Sequence, residues 1–229
     1  MELVWLPGTL CDERVFGDLP GSLGQPARHV RLSDFARVEE AAEAILETLP
    51  QTFVPIGFSL GGFVALELLR RAPERVAGLV LLSGNAHPDV PAIAATRRDE
   101  VSFVREKGMS ALIDRLWPRL VGPASREDAE LRRLLIAMAE GIGADGLARQ
   151  AEMNITRPDL RATAAQASVP LLVVAGAEDR LCPPERYAAA AEGVAGSLET
   201  ISNAGHFLPL EAPEALAPLI ASFVRRFTQ

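Results

Sequence analysis

Cysteine and histidine are scarce in this chain: its 229 residues hold two cysteines, Cys11 and Cys182, and three histidines, His29, His87 and His206. Two thiols in a chain of this length do not make a disulfide framework, and with three histidines they do not make a zinc-ligand pattern. Reduced thiols, no metal site and no cofactor are therefore expected. Excess positive charge is missing too. Lys and Arg number 23 against 30 Asp and Glu, a formal charge of −7, which gives no grip on nucleic acid phosphates or anionic lipid. No apolar run approaches the ~20 residues of a membrane-spanning helix, and residues 1–8 lack the basic start and apolar stretch of a signal peptide. A cytoplasmic location follows as an expectation, with no nucleic acid and no membrane as partner and a monomer or homodimer as the assembly. Aromatics are few, at 5%, beside 48% hydrophobic and 23% charged residues, the profile of one globular domain.

What is present is alternation. Short apolar, β-rich runs bounded by turn residues recur at 3–6, 29–32, 53–58, 79–83, 171–176 and 198–202. Several are continuous rather than alternating, as burial on both faces of a parallel sheet requires. Helical spacing fills the gaps at 38–49, 60–71, 184–192 and 213–227, so the pattern predicts an α/β domain with helices on both sheet faces. The alternation breaks once, over about 88–159, where helices at 92–107, 109–120 and 126–140 follow one another without a strand. Gly122-Pro123, Gly141-Ile142-Gly143 and Arg157-Pro158 punctuate this segment. It is too short and interrupted for a core of its own, and reads as an insertion (88–159) in a core formed by 1–87 and 160–229.

The run at 53–58 leads into Gly57-Phe58-Ser59-Leu60-Gly61-Gly62 and then an apolar helix. A serine on a sharp strand-to-helix turn needs neighbours without side chains two positions away on each side, because strand and helix cross closely there. G-x-S-x-G in that setting makes Ser59 the candidate nucleophile, with helix N–H groups and the positive dipole end near any oxyanion.

A serine hydroxyl needs a general base, and the base needs a carboxylate to orient it. In this strand-turn-helix type of site the chain order is Ser, acid, His. His29 precedes Ser59 and His87 follows too soon, which leaves His206, in a small-residue loop after the last strand. Glu178 and Asp179 both follow the run at 171–176; Asp179 is preferred for its shorter reach, held by the turn before Pro183-Pro184, and for the resemblance given below. The first strand ends in Pro7-Gly8-Thr9-Leu10, a turn suited to donate the second oxyanion N–H beside that of Leu60, with Thr9 the first candidate and Leu10 the alternative. Cys11 has no histidine partner and reads as a small packing residue.

Together these residues resemble the α/β-hydrolase superfamily, in its single-domain carboxylesterase and lactonase-like branch with a helical cap. The likeness runs through the Leu6-Pro7-Gly8-Thr9 turn, the elbow at Ser59, Ala72-Pro73-Glu74-Arg75-Val76, Gly176 through Asp179, and Gly205-His206. It implies a triad of Ser59, Asp179 and His206 with oxyanion donors from Thr9 and Leu60. It also implies an α/β-hydrolase fold of about six parallel strands without an antiparallel edge hairpin, since the first strand here matches the third of the full eight. Pro7-Gly8 stands where His-Gly is frequent, and the Gly-rich turn D-x-R-G-x-G-x-S is absent around Ser33-Asp34-Phe35.

The insertion is expected to lie over Ser59 as a cap. Its Phe103, Leu112, Trp117, Met138 and Met153, with Leu10, His87 and Phe207 from outside it, are the candidate pocket residues, while Arg157, Asp159 and Arg161 read as a salt-bridged hinge. The resulting expectation is hydrolysis of a small-molecule ester or lactone with a short, uncharged acyl group, through an acyl-serine intermediate. Carbon–carbon bond hydrolysis, thioester hydrolysis or perhydrolysis on the same triad, and a slow-turnover receptor on the same fold, are the alternatives.

Overall fold

The computed structural model describes residues 1–182, 184–192 and 196–227. Six parallel strands, β1 (Glu2–Leu6), β2 (Ala27–His29), β3 (Phe53–Phe58), β4 (Leu79–Leu82), β5 (Leu171–Gly176) and β6 (Gly196–Ile201), form one sheet in the order β2-β1-β3-β4-β5-β6. The central strands are buried along their whole length because side chains alternate between two cores. Leu3 and Trp5 of β1 point to one, Val4 and Leu6 to the other. The second core is closed by α2 (Val38–Thr48), α3 (Leu60–Arg71), α7 (Arg161–Ala165) and α8 (Pro184–Ala191).

On the first face, α1 (Leu19–Ser22), α9 (Leu208–Glu211) and α10 (Pro213–Val224) join three helices that intervene between β4 and β5: α4 (Pro91–Lys107), α5 (Met109–Leu120) and α6 (Ala129–Thr156). Val104, Leu112, Leu135 and Met138 of these helices sit in one continuous cluster with Val54, Ile56 and Val80 of the sheet. Among the described residues no helix is long and apolar enough to cross a membrane.

The elements depart from the sequence expectation most clearly at three places. The run at 29–32 gives a strand only at Ala27–His29, because Leu3, Val4 and Trp5 pair there; Leu32 is buried instead as a loop residue beside α2. The helix expected to stop at 140 does break just beyond it, at Gly143 (φ 72, ψ 170), but a second helical segment, not expected, runs on from there to Thr156. Asp128 caps the start of the first segment by accepting the N–H groups of Glu130 and Leu131, both at 2.9 Å. The last helix ends at Val224 and tightens into a 3-10 turn, Arg225–Phe227.

Candidate active site

The carboxyl ends of β1, β3, β4, β5 and β6 converge on one cavity. At the end of β3, Ser59 takes φ 51 and ψ −111 before α3 begins, a conformation that L residues adopt only when the surroundings hold it. Two glycines permit it. A Cβ on Gly57 would stand 2.5 Å from the Gly61 carbonyl oxygen, and one on Gly61 would run into the carbonyl oxygen of Leu6. The Ser59 N–H donates to Leu82 O at 2.9 Å, which ties the turn to β4, and the hydroxyl caps no helix N–H. The Oγ is left facing His206, 2.9 Å from Nε2.

His206 is buried and set by its backbone. Its N–H and that of Phe207 both donate to Leu120 O, at 3.1 and 3.2 Å, so the end of α5 fixes the loop. The Glu211 carboxylate takes N–H groups from Gly205 at 3.0 Å and Gly122 at 2.7 Å, tying the same loop to the turn after α5. Phe58 and Phe207 flank the imidazole, with ring centroids at 5.5 and 6.2 Å.

Past β5, Asp179 Oδ2 lies 2.7 Å from His206 Nδ1, and the Tyr187 hydroxyl donates to the same oxygen. Oδ1 accepts from Leu181 N–H at 2.7 Å and Cys182 N–H at 3.1 Å. Burial pushes this carboxyl up, but His206 and the donated hydrogen bonds outweigh it and hold it below the ordinary Asp value. An ionised Asp179 demands a donor at Nδ1, which leaves Nε2 to accept from the serine. Glu178, the other carboxylate considered, points its backbone N–H at Ala204 O and makes no hydrogen bond to His206. Pro183, whose turn was expected to hold Asp179, lies outside the described residues. Tyr187, the chain's one tyrosine, was missed by the sequence reading; its position on α8 carries no spacing signal toward Asp179.

Leu60 is the first residue of α3, so its N–H has no acceptor within the helix. Of the two donors considered on the β1 loop, Leu10 N–H is already given to Gln150 Oε1 at 2.9 Å, which leaves Thr9. Ser59, Thr9 and His206 open onto a cavity of about 250 Å³. Ile93, Leu112, Ile113, Leu116 and Leu147 make its apolar side; Ser83, Asn85, Asn154, Arg157 and Arg186 make a polar one.

Leu10 and Phe207 line this cavity, as does Leu112; five other expected pocket residues do not. Met138 and Met153 are fully buried in separate cores. Trp117 is packed with its Nε1 donating to Arg126 O at 2.9 Å, and Phe103 lies under the Arg115 guanidinium, 4.1 Å away. The His87 N–H donates to Asn85 Oδ1 at 2.9 Å, and burial, then Arg186 and Arg161, depress its imidazole pKa. Helical spacing shows which face is apolar, not whether that face packs or borders a void. The expected hinge also differs: Arg161 pairs with Asp159 on the surface, while Arg157 is buried, pairs with Asp89 at 3.2 Å and lines the cavity. Among the described residues no group of three or more His, Cys, Asp or Glu side chains could hold a metal ion.

With this geometry described, the chain can be set beside known proteins. A model of the alpha/beta hydrolase family matches residues 4–219. The pimeloyl-[acyl-carrier protein] methyl ester esterase of Aromatoleum aromaticum is 31% identical over 229 residues, covering 90% of this chain and 85% of that one. The dihydrolipoyllysine-residue acetyltransferase component of the acetoin cleaving system of Pseudomonas putida is 29% identical over 243 residues. That match covers 97% of this chain, which spans 60% of the relative's length. A solved thermophilic esterase from Thermogutta terrifontis, malate bound, superposes with a TM-score of 0.88 at 25% identity, covering 99% of this chain and 90% of that one.

Proposed function

Because the chain belongs to the alpha/beta hydrolase family, we propose that it hydrolyses a small carboxylic ester or lactone through an acyl-enzyme on Ser59. The observation that carries this reading is the continuous relay from Ser59 Oγ to His206 Nε2 at 2.9 Å and from Nδ1 to the buried Asp179 at 2.7 Å. His206 takes the serine proton as Oγ attacks the ester carbonyl, and Asp179 stabilises the imidazolium that forms. The N–H groups of Thr9 and Leu60 hold the oxyanion of the tetrahedral intermediate. His206 then protonates the departing alkoxide, and a water, deprotonated by the same imidazole, hydrolyses the acyl-serine and regenerates the hydroxyl. In a lactone the leaving alkoxide stays attached to the acyl group.

Helices α4, α5 and α6 serve as the cap. They supply the apolar side of the cavity, where a short hydrocarbon portion is buried at about 0.8 kcal/mol per methylene. Esterases among the similar proteins support the reaction class. Ser59→Ala is expected to lower kcat on short acyl esters by about 10³-fold or more with the fold intact, and a serine-directed phosphonate is expected to label Ser59 alone. Undiminished turnover in the Ser59→Ala variant would overturn the assignment.

A further inference from the structure

The loop that follows β1 is short of its own means of support. Pro7 has no N–H and Gly8 no side chain, yet Leu10 is held at φ 61, a conformation a branched side chain keeps only under outside constraint. The constraint comes from 140 residues away, in the half of α6 beyond the Gly143 break. Gln150, fully buried, accepts the Leu10 N–H on Oε1 at 2.9 Å. One turn later Asn154 donates from Nδ2 to Thr9 Oγ1 at 3.1 Å and to Gln150 O at 3.0 Å. Its Oδ1 accepts from Arg157 Nη1 at 3.0 Å, and Arg157 Nε donates to His87 O at 3.0 Å on the chain leaving β4. Gln150 and Asn154 lie one turn apart on α6 and Arg157 directly follows its last residue, so the end of this helix grips the β1 loop on one side and the β4 exit on the other.

We propose that Gln150 and Asn154 are positioning residues for the oxyanion hole: by fixing Leu10 N–H and Thr9 Oγ1 they aim the Thr9 N–H at the carbonyl oxygen of the bound ester. The inference rests on Ser59 being the nucleophile. Leu10 N–H is withdrawn from the cavity by Gln150, so of the two donors weighed on this loop Thr9 N–H remains, on a loop held at both Leu10 and Thr9. A donor is effective in proportion to how little it must reorganise when charge develops, and α6 removes that reorganisation in advance. The oxyanion hole is then complete only while α6 is docked on the β1 loop.

Gln150→Met keeps the length of the side chain and removes the acceptor; Gln150→Glu keeps an acceptor; Asn154→Leu and Thr9→Val each remove one partner of the tie between Asn154 and the Thr9 hydroxyl. Each would be measured for kcat and KM on a short ester, for its pH–rate profile, and for inhibition by a trifluoromethyl ketone, whose hemiketal oxyanion fills the hole. Gln150→Met is expected to lower kcat by ~10 to 100-fold with KM within about twofold, to weaken the ketone by a similar factor, and to leave the acid limb of the pH profile in place. Gln150→Glu should recover most of that loss. Should Gln150→Met fail to fold, Thr9→Val and Asn154→Leu, which cut the second tie, are expected to show the same split. Wild-type kcat and ketone affinity in these variants, or a loss confined to KM, would overturn the proposal. Phosphonate labelling of Ser59 separates the two failures: labelled but unaffected variants defeat only the positioning role, while an unlabelled Ser59 defeats the reading beneath it.

Discussion

Asp179 shows how a single side chain links catalysis to stability. It is almost wholly buried and satisfied by four donors: His206 Nδ1, the Tyr187 hydroxyl and the N–H groups of Leu181 and Cys182. Burial raises and these partners lower its pKa, with a net depression below the ordinary Asp value. A carboxyl with a depressed folded-state pKa binds its proton more readily when unfolded. Its stabilising contribution is therefore present above the unfolded pKa and is lost as pH falls through the folded one. Asp179→Asn removes that term and leaves His206 without an anionic partner. The variant is expected to lose kcat by about 10³ to 10⁴-fold, and its melting temperature should fall less than that of the parent chain between neutral pH and the acid side of the carboxylate range. Thermal melts across that interval check the second point; parallel declines in the two proteins would contradict it.

At the scale of elements, the short α9 joins the cap to the His206 loop through one carboxylate. Glu211 accepts from Gly122 and Gly205, both buried residues. Burial raises its pKa against those two hydrogen bonds, so by the same linkage its contribution is greatest below the ordinary Glu pKa and declines as pH rises through the folded value. The acceptor matters here more than the charge. Glu211→Ala is expected to cost about 2 kcal/mol or more by leaving two buried donors unpaired, and to lower kcat as the His206 loop loosens. Glu211→Gln should stay within about 1 kcal/mol of the parent at neutral pH. Chemical denaturation of both variants checks this, and equal losses would show that the charge is what holds the loop.

Elements of this kind also mark where the sequence was legible. Residues 60–71 and 109–120 have helical periodicity from end to end, and the structure has helices at Leu60–Arg71 and Met109–Leu120. Ser59, His206 and Asp179 were each picked from a strand end, and Ser59 and Asp179 both stand within hydrogen-bonding distance of His206, on its two ring nitrogens. The second half of α6 was not read. The chain does break at Gly143, and the buried face of the segment beyond carries Gln150 and Asn154, polar residues that interrupt the apolar stripe by which a new helix is read. Their burial makes sense only with the β1 loop opposite them, a contact made in the fold and invisible along the chain. Tyr187 escaped for the same reason.

Across the whole molecule, the charge distribution bears on the acyl group the cavity selects. The chain carries a formal −7, yet Arg97, Arg119, Arg157 and Arg186 line the cavity against Asp89 and Glu100. Arg97 and Arg157 are both committed to Asp89, at 2.6 and 3.2 Å. The Arg186 guanidinium makes no hydrogen bond or ion pair with a described residue, and its field helps to depress His87 and to bring Arg157, foremost by burial, down to about 10. A half-buried cation with no partner among the described residues favours a substrate whose far end is anionic, because solvent screens the attraction less there than on the open surface. A dicarboxylate half-ester is therefore expected to show a higher kcat/KM than the neutral ester of equal length, and the advantage should shrink with salt. Arg186→Gln should reduce kcat/KM by about tenfold on the half-ester and change it little on the neutral ester, since removing one charge pair at intermediate dielectric is worth about 1.4 kcal/mol. A matched series of half-esters and neutral esters on both proteins makes the comparison. Equal loss on both substrates would reduce Arg186 to a scaffold for α8, and a maximum at long neutral acyl chains would mean that the apolar side formed by α4 and α5, not the cationic wall, selects the substrate.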